Sequence, residues 1–359
     1  MTEQLTQRTL IDELVAQNRL QPEAKALVAN AFITKEPETP APWFVTALIA
    51  VSAWLSVIPF IGFFFALEIV KSLASIMAVG FLLIIGTVLL HRFNRNGLFL
   101  EQLLLALNFT GQVLFIVGIG LDKDVITAAL AAWFLEIVLI SVYRDNILRF
   151  IAVLIATLSA LVLLYQFAIP EGIHLLIVLL AIGASWYWLA ESRHLTDNMM
   201  KTLYQPLGYG FLVALQIVLL LSILPTSQWV PPVTWAYSSW GLTVLLLTVE
   251  YYIMRTNNVM VSSPRSLVIL GGTSLMALLL YQSPGIIASI ILLSLGFQRG
   301  NRVLMGLALV FLTVFLTAFY YYLNITLLIK SITLISTGLT LLILRLVLKQ
   351  VFPQHEGVA

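Results

Sequence analysis

Apolar residues fill this chain in long unbroken blocks, set apart by short polar breaks. Their length predicts the elements, because a bilayer core of about 30 Å needs about 20 apolar residues per helix. Such stretches fall near 43–65, 70–90, 98–120, 125–143, 148–169, 172–190, 205–225, 233–254, 266–281, 284–297, 303–322 and 325–348. The expected fold class is therefore all-α, a polytopic transmembrane bundle of about twelve segments over residues 43–348. Before it, Leu10, Ile11, Leu14 and Val15, then Leu27, Val28, Ala31 and Phe32, recur at helical spacing around Pro22, which predicts a short helical hairpin. A Pro-rich linker from Glu36 to Pro42 completes this N-terminal segment, 1–42, and residues 349–359 form a C-terminal tail.

Composition agrees with the pattern. With 60% hydrophobic and 10% charged residues and a mean hydropathy of +1.00, the chain carries more apolar surface than a soluble core of 359 residues could bury. The lipid bilayer is its first partner, and a net charge of +2 gives no reason to expect nucleic acid. No cysteine is present, which excludes disulfides and thiolate chemistry.

Charge placement orients the bundle. With alternating spans, sixteen of the nineteen Lys and Arg residues fall on one face, among them Arg92, Arg144, Arg149, Arg255, Arg299 and Arg302; Lys71, Lys123 and Lys330 fall on the other. Positive residues mark the cytoplasmic side, so both termini are expected there. The outer loops, 121–124, 169–172, 225–232 and 322–324, are too short to fold into a domain.

Two segments are short, 266–281 and 284–297, and contain Gly271-Gly272 and Gly285. They read either as a broken or re-entrant pair lining a cavity, or as two short tilted helices in a thin region.

The chemical motifs of enzymes are missing: no phosphate-cradling glycine loop, no His-Glu-x-x-His, no nucleophile elbow. The four histidines have spacings that suit no metal site, and the expectation is no enzyme and no cofactor. Asn108-Phe-Thr110 and Asn324-Ile-Thr326 match a glycosylation pattern by accident.

What remains are polar residues inside apolar spans. Glu136 lies eleven residues past Val125, about 16 Å along a helix and too deep to snorkel; it has to be protonated, paired or wetted. Thr326, Lys330, Thr333, Thr337 and Thr340 recur at intervals of four and three and so share one helix face. That stripe is either a packing seam of small hydroxyl residues or the wall of a polar pathway, with Tyr321 and Asn324 near Lys330 at its outer mouth. Gly306, Thr313 and Thr317 form a similar narrow face on the segment before it.

The run Phe319-Tyr-Tyr-Tyr-Leu-Asn-Ile-Thr-Leu-Leu-Ile-Lys-Ser331, followed by a helix containing Gly338, resembles the C-terminal signature of a bacterial family catalogued as domain of unknown function 4401. Pro42-Trp43 and Ala53-Trp54-Leu55 are also similar to it. The resemblance implies a bacterial inner-membrane protein with a co-encoded, membrane-anchored partner carrying a Gly-Asp-Tyr motif, and it brings no activity. Two functions stay open: a transporter or permease-like protein for a small or proton-coupled solute, and a non-catalytic subunit that stabilises a partner or a second copy of itself.

Overall fold

The computed structural model describes residues 43–66, 72–93, 97–189, 198–224, 233–257, 259–260 and 263–322, with isolated helical positions between 328 and 346. Among these residues the fold is helical throughout: α1 (Trp43–Ala66), α2 (Leu73–Phe93), α3 (Leu98–Asp122), α4 (Val125–Val142), α5 (Asn146–Gln166), α6 (Gly172–Leu189), α7 (Asn198–Leu220), α8 (Ala236–Thr256), α9 (Pro264–Leu279), α10 (Pro284–Arg299) and α11 (Arg302–Tyr322). They follow the predicted segments in order. Seven of them, α2 to α7 and α11, are long and apolar enough to cross a membrane; Ala47–Phe63 of α1, α9 and α10 are shorter apolar helices. The expected N-terminal hairpin lies outside the described residues, as does most of the final segment at 325–348.

The chain divides into two compact units. The first comprises residues 1–63 and 94–106; in it Ala53, Val57, Leu104, Leu105 and Ala106 are buried. The second comprises residues 64–93 and 107–359. Here α4 packs along α5, α5 along α7, α7 along α6, α6 along α8, and α10 along both α8 and α11.

The short pair becomes two separate helices. Gly271 and Gly272 do not interrupt α9, which runs through them. Nor does Gly285 mark a break: a Cβ placed there would meet the ring of Phe315, so the glycine lets α10 approach α11. Each helix begins with proline in its first turn, and α10 ends on Gly300 with φ of 61°, a left-handed cap that glycine adopts without strain. Ten of the sixteen residues of α10 are buried, and the helix also packs on α6 and α7.

Another difference is the start of α7. The apolar run begins at Gln205, whereas the helix begins at Asn198 and continues through Pro206. Proline removes one backbone donor and crowds the carbonyl four residues back, but the helix absorbs it.

The arginine-bearing helix ends meet one another. His91 at the end of α2 stacks on Tyr143 at the end of α4, with ring centroids 4.4 Å apart. Arg149 Nε donates to the Ile140 carbonyl at 3.0 Å, and Asn257 Nδ2 donates to Gln298 Oε1 at 3.4 Å. Arg299 Nε donates to the Trp188 carbonyl at 2.6 Å, and its Nη2 donates to the Leu189 carbonyl. A guanidinium thereby caps the bare C-terminal carbonyls of α6, where a cation also suits the helix dipole.

Candidate functional site

Helix α4 positions Glu136. Asp124 caps the helix, its carboxylate accepting from the Thr127 amide at 2.6 Å; these bonds hold its carboxyl below the ordinary value of 3.8. The buried stripe is the adjacent pair Ala128 and Ala129, followed at steps of three, four and three by Ala132, Glu136 and Leu139, while Phe134, Ile137 and Val138 are exposed. Three small alanines share this face, and a Cβ on Gly120 of α3 would lie 3.4 Å from that of Ala128. Glu136 therefore points into protein and is 0% exposed. Neither of its carboxyl oxygens has a hydrogen-bond partner among the described residues.

A chain of polar side chains runs between α2 and α3 at the same level. Thr87 donates to the carbonyls of Leu83 and Ile84, Asn108 Nδ2 donates to Thr87 Oγ1 at 2.8 Å, and Gln112 Nε2 donates to Asn108 Oδ1 at 2.8 Å. All three side chains are buried, and Gln112 Oε1 is left without a partner among the described residues. Depth follows from the α3–α4 contact at Gly120 and Ala128. Eight residues back along α3 lies Gln112, and eight forward along α4 lies Glu136, each about 12 Å from that contact. An unused acceptor and an unused acid thus share one depth in the bundle.

Of the other candidate residues, Tyr321 is described: it is 71% exposed at the end of α11, its ring edge-on to Tyr320 at 5.4 Å. Asn324, Thr326, Lys330, Thr333 and Thr337 lie outside the described residues. On α11 the buried stripe is Leu304, Ala308, Phe315 and Ala318; Gly306, Thr313 and Thr317 lie off it and are exposed.

A family model described as Domain of unknown function (DUF4401) matches residues 42–351. The chain belongs to that family. No curated protein matches the DUF4401 chain, and neither does any solved structure. With its long apolar helices this DUF4401 member is a membrane protein, and its site has to be read from its own side chains.

Several of those were missed in the sequence. Asn108, read only as a chance glycosylation match, is buried in α3 and bonded to Thr87. Gln216 of α7 is fully buried with neither amide atom bonded among the described residues, and Ser185 Oγ of α6 is in the same condition. Glu250 accepts from Thr273 Oγ1 at 2.8 Å and ties α8 to α9. His174 is held on both ring nitrogens, by Ser238 at 2.6 Å and Glu171 at 2.7 Å. A search extended from charged residues to every amide inside an apolar span would have found Asn108, Gln112 and Gln216.

Proposed function

We propose that this protein is an inner-membrane transporter that couples a small solute to protons, with Glu136 as the proton-carrying residue. On this reading about twelve segments cross the membrane, the arginine-bearing ends face the cytoplasm with both termini, and no catalytic step or cofactor is involved. The observation that carries the reading is the buried carboxyl of Glu136, which has no bonding partner among the described residues. An acid held this way in the membrane interior costs several kcal/mol as an anion, on the order of 2.5–3.5 even on insertion scales. It is at home as the neutral acid, and it becomes an anion only when a cation or water reaches it. A carrier requires that property: one group whose charge depends on whether the site is open.

A second reading rests on a different observation. Gly80, Gly111 and Gly118 bring α2 and α3 into backbone contact, which suits a rigid subunit that stabilises a membrane-anchored partner or a second copy.

The experiment that separates them reconstitutes the full chain in liposomes containing a pH-sensitive dye and applies pools of small solutes. Transport predicts a solute-dependent pH change that is lost in Glu136→Gln, with the variant still folded. Flat traces for the wild type with every pool would leave the subunit reading.

A further inference from the structure

We propose that Glu171, His174 and Ser238 form a proton-binding site, separate from Glu136, at which protonation of the His174 ring at the start of α6 reverses its hydrogen bond to a buried hydroxyl of α8.

The three groups form a gradient of exposure. The side chain of Glu171 is 53% exposed and that of His174 is 12% exposed, whereas Ser238 is 0% exposed. The imidazole joins them, Nε2 facing Glu171 Oε2 at 2.7 Å and Nδ1 facing Ser238 Oγ at 2.6 Å. Two residues 64 apart in sequence meet here because α6 and α8 pack along each other. Gly241 makes the approach possible, since a Cβ there would lie 2.6 Å from Val178 Cγ2.

The hydrogen-bond inventory fixes what a proton does at this site. An ionised Glu171 can only accept, so Nε2 carries a hydrogen in both states of the ring. In the neutral ring Nδ1 has a lone pair, and Ser238 must donate to it. Uptake of one proton at Nδ1 reverses that bond: the imidazolium donates, and Ser238 Oγ accepts. The serine hydrogen must then turn elsewhere, and in a helix the carbonyl one turn back, here Thr234, is the usual acceptor. The N–H bond forms with a proton given up by hydronium, whose O–H bond breaks to leave water, and the added charge is balanced by Glu171.

The surroundings keep the charge change local. From its own element Glu171 is the acid that faces the ring. From α8 the facing groups are Ser238, the Tyr237 ring edge-on at 5.6 Å and the Trp235 ring edge-on at 6.3 Å. Among the described residues its one ion pair is with Glu171. Histidine is the side chain type whose charge changes between pH 5 and 8, the range a cell exterior traverses. Ser238, fully buried, meets no substrate, so the resemblance to a nucleophilic Ser-His-acid relay does not extend to its chemistry.

The test is nuclear magnetic resonance on the full chain in nanodiscs with nitrogen-15 in the histidine rings, His174 being assigned by its loss in His174→Gln. On acidification the His174 Nδ1 signal should change from that of a lone-pair nitrogen to that of an N–H, while Nε2 keeps its hydrogen throughout. Glu171→Gln, at an exposed position that keeps the fold, should move the midpoint of that change to lower pH, because the anion facing Nε2 is gone. Ser238→Ala should change the Nδ1 shift of the neutral ring. A ring that does not titrate, or a midpoint that ignores Glu171→Gln, would overturn the site, and an unchanged Nδ1 in Ser238→Ala would overturn its inward half. Glu136 plays no part in these readouts, so either proposal can fail alone.

Discussion

Gly80 and Gly111 face each other across α2 and α3 so closely that a Cβ built on Gly80 would lie 2.7 Å from the Gly111 carbonyl oxygen, and one built on Gly111 would lie 2.8 Å from that of Gly80. Both obstacles are backbone, which cannot rotate out of the way. Gly80→Ala should therefore destabilise the protein by about 1–3 kcal/mol, as overpacking does. Gly86, one and a half turns further along α2, has nothing within 4 Å of the same position. Gly86→Ala should be neutral or stabilising by up to about 1 kcal/mol through helix propensity. Unfolding of both variants in detergent checks the contrast, and equal losses would contradict it.

Arg299 holds the end of α6 by donating to the carbonyls of Trp188 and Leu189. Arg299→Ala should cost about 1.5–3 kcal/mol, the range for hydrogen bonds made by a charged group. Arg299→Lys should restore only part of it, because an ammonium lacks the planar fork that reaches two carbonyls at once. The same unfolding assay reads both variants. Full rescue by lysine would mean that only charge matters there.

The turn between α3 and α4 should respond to acid. Asp124 is held below its ordinary 3.8 by the Thr127 amide, so its cap is fully present above the usual carboxylate range and is lost as pH falls through the lowered value. Protection of the Thr127 amide, its exchange rate measured against that of an unstructured peptide at the same pH, should be high at neutral pH and fall in acid. In Asp124→Asn, whose amide oxygen can still accept, that protection should be nearly independent of pH over the range.

Much of the helical order was legible because an apolar block of about 20 residues has few alternatives. Glu136 was legible for the same reason, one acid in a run of Ala, Leu and Ile. Other features needed the tertiary arrangement. His174 and Ser238 are far apart in sequence, and no local pattern announces that their helices are neighbours. Asn108 and Gln112 carry no charge, so a search for costly ions passes over them. Arg299 fitted the charge alternation as one more cation, although its side chain is spent on the end of α6. The short pair at 266–297 left two readings open in the sequence, and only the structure shows two continuous helices, with α10 packed among α6, α7, α8 and α11.

As the proton-carrying residue proposed above, Glu136 should hold a proton inside the bundle. Infrared spectra of the full chain in lipid at neutral pH, wild type against Glu136→Gln, test it most directly through the carbonyl stretch of protonated carboxyl groups. Such a band should be present in the wild type and disappear in the variant while the amide bands stay the same. Identical spectra in the carboxyl region would show Glu136 ionised and the account wrong.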